Sequence, residues 1–335
     1  MCSMIRRFVH LIVHELKSGP GGYSLRNIDM KPLFAGIGDG NTSMQVTPLP
    51  RAAALFESAS KNHTEFFLLG SKIVSVNENR HTILFDTLTS GALAGPHLRH
   101  GKLLQPAWAA IGGKLYLTSM FPENHGTPCF EALRYDNELE DWLWDLLPSP
   151  SLFDMPFGDG SIIHCFASGH DKNIWISTLG NGTHIFDTTT TTTWHKVGGW
   201  ALPFEGRVQY VPEYRQCFGF SERSSKLCSA DLIFGSRILE PPAYRNVWDD
   251  VDGYMGTQWH LARSYLTYLG CGKFCITRFY DTRNDWEDDY IPVCNVAVMT
   301  AVEVRCDSNT GHLEMIKGAS RCYKFSPDTL YGWVL

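Results

Sequence analysis

The sequence predicts an all-β fold: one β-propeller domain over residues 1–335, with about six four-stranded blades. Three observations predict it. Aromatic residues make up 13% of the chain, which suits pleated strands on which flat side chains pack. A strand–turn–strand grammar recurs along most of the length. An aspartate that ends the third strand of a unit returns six times, at intervals of 57, 50, 51, 44 and 76 residues. A β-sandwich needs no such recurrence, whereas kelch-type blades repeat at about 50 residues.

Each element of the unit has a local cause. The first strand ends in glycine or a polar turn. The second strand starts at or just after a lysine or arginine turn: GSKIVSV at Gly70, GGKLYLT at Gly112, KNIWIST at Lys172, RQCFGFS at Arg215 and CGKFCIT at Cys271. The third ends at Asp29, Asp86, Asp136, Asp187, Asp231 and Asp307. Such an aspartate can accept hydrogen bonds from backbone N–H groups two residues on, an Asx turn. The aromatic residue before it at Phe85, Tyr135 and Phe186 is expected to fill the layer between blades. The fourth strand runs into Leu-Pro at Leu49, Leu147 and Leu202, where proline ends an outer strand that needs no further ladder N–H.

The first blade starts at Phe8–Val13 and continues through Tyr23–Asp29. It lacks an innermost strand, and Cys322–Phe325 is expected to supply it, so that N- and C-terminal strands close the ring and remove open edges. The threonine run Thr188–Thr193 reads as an expanded turn between third and fourth strands.

Composition excludes several classes. The net charge is −6 with scattered Lys and Arg, which argues against nucleic acid. No apolar run is long enough to span a membrane, and the start of the chain lacks a secretory h-region. None of the ten cysteines forms a C-x-x-C pair, so reduced, buried thiols in the cytoplasm or nucleus are expected. The sequons at Asn41, Asn62 and Asn181 are then unused. His10 and His14 are too far apart in a strand to share a metal ion. His97 and His100, His164 and His170 lack further ligands. The acidic run Asp285, Glu287, Asp288 and Asp289 lacks the central glycine of a calcium loop. No nucleophile elbow, P-loop or dinucleotide fingerprint occurs.

YSLRNIDM at Tyr23, FEALRYD at Phe130, WALPFEGRVQYVPE at Trp200 and LGCGKFCITRFYDT at Leu269 resemble a grass-expanded plant family of unknown function, related to kelch-type F-box proteins. The resemblance implies a kelch-like β-propeller and brings no activity and no catalytic residues. An F-box would need about 40–50 helical residues before the propeller, and strands here are expected to begin almost at once.

The expected function is a non-enzymatic protein-interaction module, monomeric and without cofactor, that presents loops on one propeller face to a protein partner. The candidate residues lie in the loops after the second strands: Arg80, Glu123, His125, Asn181, Arg223, Asp285, Trp286 and Asp288. Two alternatives are a small-molecule or enzymatic site in the central channel, and a divergent family member with little selected function.

Overall fold

The computed structural model describes residues 6–15, 22–35, 44–57, 63–102, 106–121, 129–150, 162–169, 172–190, 193–232, 241–249, 259–282, 294–307, 309–326 and 329–335. Among them are twenty-five strands, β1–β25 in chain order, and one short helix, α1 (Lys31–Phe34). The chain is all-β and divides into two compact units, Asn62–Arg245 and Met1–Lys61 with Asn246–Leu335.

The first of these units is a run of four-stranded sheets in which each strand pairs with the next. They are β5 (Thr64–Leu69), β6 (Lys72–Asn77), β7 (Thr82–Asp86) and β8 (Ala92–Ala94); β9 (Ala107–Ile111), β10 (Lys114–Thr118), β11 (Phe130–Asp136) and β12 (Asp141–Leu147); β13 (Ile163–Ser168), β14 (Asn173–Thr178), β15 (Gly182–Asp187) and β16 (Trp194–Gly198); and β17 (Phe204–Val211), β18 (Gln216–Ser221), β19 (Leu227–Ala230) and β20 (Tyr244–Trp248). The first strands follow one another in space: β5 lies against β9 and β9 against β13. β13 then pairs in parallel with β17, from Cys165 opposite Gly206 to Ala167 opposite Val208.

Side chains alternate across each strand, so each sheet offers a different apolar face to each neighbour. Phe67, Val74 and Leu84 meet Leu115, Leu133 and Trp144 between the first two sheets. Tyr116 and Phe130 meet Ile174, Ile176, Phe186 and Trp194 between the second and third. Trp175 and Cys165 meet Phe204, Cys217 and Cys228 between the third and fourth. Burial of such side chains, at about 25 cal/mol per Å² of apolar surface, holds the layers together.

The other unit has two sheets. One has the order β25–β1–β2–β4, with β1 (Phe8–Glu15), β2 (Gly22–Asp29), β4 (Ala54–Glu57) and β25 (Thr329–Val334). The other joins β21 (His260–Gly270), β22 (Lys273–Thr282), β23 (Cys294–Cys306) and β24 (Leu313–Lys324), with β3 (Met44–Thr47) added in parallel to β24. Val9, Leu11, Ile28, Phe279, Met299, Tyr323 and Val334 share one core.

The unit grammar read from the sequence is present. The second strands β6, β10, β14, β18 and β22 start at the expected turns, and the third strands end at or just before the six aspartates. Asp86 Oδ1 accepts from the N–H groups of Leu88 and Thr89, Asp136 from Glu138 and Leu139, and Asp307 from Asn309 and Thr310. Asp29 and Asp187 each accept from the N–H two residues on. Asp231 differs, with its carboxylate on Arg245 at 3.3 Å. The threonine run begins in the β15–β16 turn, where Thr188 Oγ1 donates to the Lys172 carbonyl at 2.6 Å.

Three expectations are corrected. The N-terminal strand does pair with a C-terminal strand, but the partner is β25, with Leu11 opposite Val334, and not Cys322–Phe325. Cys322 and Tyr323 belong to β24, whose length keeps them on β23, with Val298 opposite Cys322. Tyr135 does not fill an inter-sheet layer. It is 45% exposed and packs edge-on to Trp142 across the hairpin, whereas Phe186 is fully buried between sheets. Among the described residues seven cysteines are free thiols, six of them buried, but Cys271 is held in a disulfide. The expectation of reduced thiols throughout fails there.

Candidate functional site

The meander fixes where the turns lie. In an antiparallel meander the turn between second and third strands leaves from the end where the first strand begins. Arg80, Asn181 and Arg223 occupy this turn in three sheets of the 62–245 unit. Because β13 and β17 run in parallel, Asn181 and Arg223 emerge on the same side. Arg80 adopts a left-handed backbone at φ +69°, its carbonyl accepts from Leu98 N–H, and its Nη1 donates to the Arg99 carbonyl at 2.9 Å. The turn is thus tied to the segment that links the first sheet to the second. Asn181 N–H donates to Thr178 Oγ1 and Arg223 N–H to Ser221 Oγ, and the Arg80 and Arg223 residues are exposed. The other sequence-selected residues, Glu123, His125, Asp285, Trp286 and Asp288, lie outside the described residues.

The linking segment is anchored by a residue that sequence reading passed over. Glu131, on β11, is fully buried. Its two oxygens accept from the N–H groups of Arg99 at 2.9 Å and His100 at 3.0 Å, and from Lys102 Nζ at 2.7 Å. A buried carboxylate is tolerable only when its lone pairs are met in this way. Arg99 Nε in turn donates to the Trp144 carbonyl at 3.3 Å.

Arg99 also borders a groove of about 490 Å³ over β10–β12, lined by Lys114, Tyr116, Ala132, Asp145, Leu146 and Leu147. Burial raises the Tyr116 hydroxyl above its ordinary range, although a side-chain hydrogen bond with Thr188 works against this. Asp145 is held by Arg134 Nε at 2.5 Å, and Arg134 Nη1 reaches Asp136 at the same distance. The signal that could have found this groove is the charge pattern RYD followed by WLWD, which puts Arg134 between two aspartates.

The histidines have other roles. His10 Nδ1 meets Asn27 Oδ1 at 2.8 Å, and burial together with the nearby Arg6 lowers its pKa. His14 stacks on Tyr23 and His97 lies against His81. His164 Nε2 lies 3.2 Å from the Leu202 carbonyl oxygen. His170 lies outside the described residues. Among the described residues no three His, Cys, Asp or Glu side chains gather as a metal site requires, and no helix is long and apolar enough to cross a membrane.

These elements define an all-β framework of repeated four-stranded antiparallel units. The chain belongs to the DUF1668 family of proteins of unknown function, whose model matches residues 6–323. No curated protein matches the sequence. Among solved structures it is similar to the β-propeller domain of Cps50 (Swd1) from Myceliophteria thermophila, with 11% identity, 97% of each chain covered and a TM-score of 0.43. It is also similar to hydrazine synthase from Kuenenia stuttgartiensis, with 14% identity over 76% of this chain and 64% of that one and a TM-score of 0.37. A third likeness is to YjhT, with 10% identity over 73% of this chain and 83% of that one and a TM-score of 0.41.

Proposed function

We propose that this chain is a non-enzymatic protein-interaction scaffold, a kelch-like propeller whose four-stranded units are blades, about six in number. It recognises a protein partner through the turns between second and third strands. The observation that carries this reading is the parallel β13–β17 pairing, which sets Asn181 and Arg223 on one side of a rigid sheet framework. The ordered contact of the first strands β5, β9, β13 and β17 supports the blade arrangement. Turns on such a framework vary in sequence without disturbing the core, which is why scaffolds bind through them.

The test is affinity purification from native extract with wild-type protein and with Asn181→Ala/Arg223→Glu, both checked for equal melting temperature. The reading expects part of the wild-type partner set to disappear from the variant. A partner set indifferent to the substitutions would overturn it.

A second reading, a small-molecule site on the first strands, has one observation in its favour. The Arg207 guanidinium of β17 lies 3.7 Å over the Trp108 ring of β9. Such a stack joins two strands by itself, so packing accounts for it. A dose-dependent rise in melting temperature with a metabolite or metal would favour this second reading.

A further inference from the structure

The five lysine or arginine turns of the repeat do not carry equivalent charge. In the first sheet of the 62–245 unit, Lys72 opens β6 and stands opposite Asp86, which ends β7. The two pair at 2.6 Å. In the second sheet Lys114 opens β10 and Asp136 ends β11, yet they do not pair. β10 and β11 pair from Leu115 opposite Leu133 to Thr118 opposite Phe130, a register that puts Arg134, not Asp136, across from Lys114. In the first sheet Leu84, opposite Val74, is buried in the apolar layer, 3% exposed. Arg134 instead takes both Asp136 and Asp145.

The place that Leu84 fills opposite Val74 holds the smaller Ala132 opposite Tyr116, and the groove lies over Ala132 and Asp145. Lys114 loses the partner that its counterpart Lys72 has, and it meets no other ion-pair partner among the described residues. The groove therefore holds two cations, Arg99 and Lys114, against one carboxylate, Asp145, that Arg134 already neutralises. Beside them Leu146 is 44% exposed.

We propose that this groove takes a carboxylate next to an apolar side chain, presented by an acidic segment of a protein partner. The proposal rests on the scaffold reading above and names its ligand. Lys114 and Arg99 supply charge-assisted hydrogen bonds to the carboxylate, and Leu146 and Leu147 cover the apolar neighbour. Asp145 at the wall favours a singly charged group over a phosphate dianion. Two cations are too few to track a nucleic-acid backbone, whose binding needs many neutralised phosphates.

The test uses the full chain and a fluorescein-labelled peptide of alternating Glu and Leu, read by fluorescence anisotropy. Gln/Leu and phosphoserine/Leu peptides serve as controls. The Glu/Leu peptide is expected to bind, more weakly as salt rises. Lys114→Glu is expected to weaken it about tenfold or more, while Lys114→Arg retains it. Both variants are expected to melt with wild type, since Lys114 holds no internal ion pair. Equal affinity for Lys114→Glu and wild type, equal binding of the Gln/Leu peptide, tighter binding of the phosphoserine peptide, or no binding at all would each overturn the assignment. If the peptide fails while the partner set still depends on Asn181 and Arg223, only the groove falls. If the partner set ignores those turns, the scaffold reading falls with it.

Discussion

The first two sheets of the 62–245 unit obey one grammar and end up electrically different. In β5–β8 the lysine that opens the second strand is closed off by the aspartate that ends the third, Lys72 with Asp86. In β9–β12 an arginine two residues before that aspartate intercepts it, and the lysine is left facing a groove. The first sheet sets Asp86 opposite Lys72 and Leu84 opposite Val74, whereas the second sets Arg134 across from Lys114 and the smaller Ala132 opposite Tyr116, which turns a sealed layer into one with an opening. The comparison teaches that in a repeated fold the backbone plan fixes where a charge stands, while its nearest cross-strand neighbour fixes whether that charge is available.

The connection between these two sheets is where the comparison can be broken most severely. Lys102→Ala would leave the Glu131 carboxylate buried without its cation. A loss of about 3–5 kcal/mol is expected in urea unfolding. Glu131→Gln combined with Lys102→Met should cost less than Lys102→Ala alone, because the amide oxygen still accepts an N–H from the linking segment. If the double variant is the less stable, the N–H bonds to Arg99 and His100 are not what Glu131 is for.

Arg134→Leu removes the cation that neutralises Asp145 in the groove wall. It frees that carboxylate for Lys114, so binding of the Glu/Leu peptide should fall about tenfold. Unchanged binding would mean that the interception does not create the site.

Backbone differences between the sheets are smaller. Gly70, in the β5–β6 turn, has φ +60° with open space where a methyl group would stand, so Gly70→Ala tests conformation alone. A loss of about 1 kcal/mol is expected in thermal melts. Glu140, in the β11–β12 turn, holds φ +52° without being glycine. Glu140→Gly should raise stability by about 0.5 kcal/mol or leave it unchanged.

The finest test is by acid. Lys72 and the Leu88 N–H hold the Asp86 carboxyl at about 2. Its folded pKa is thus below the unfolded value of about 3.9, so its stabilising contribution is complete above that value. It fades as pH falls through about 2. Lys72→Met should move the Asp86 carboxyl resonance upward in an NMR titration, while Lys114→Met should leave Asp136 where Arg134 holds it, below the usual carboxylate range. Equal shifts in both sheets would erase the distinction between them.

Much of the fold is legible in the sequence because its causes are local. Asx turns at Asp86, Asp136 and Asp307, and strands that open beside Lys72 and Lys114, depend on residues within a few positions of one another. The turns at Arg80, Asn181 and Arg223 follow from the same count. The candidate site was legible only in part. Glu131 reads as one more polar residue in a strand, and nothing near it in the sequence announces that Arg99, His100 and Lys102 will close over it.

The sequence by itself determined the all-β class, the four-stranded unit and the strand ends, since hydrogen bonds between neighbours along the chain specify them. Tertiary structure alone decided that β25, and not Cys322–Phe325, pairs with β1, that β3 joins β24, that Tyr135 stays exposed, and that Arg134 rather than Lys114 takes Asp136. Those outcomes turn on which of several chemically equal partners the fold brings nearest. A linear sequence names the competitors, and only packing in three dimensions ranks them.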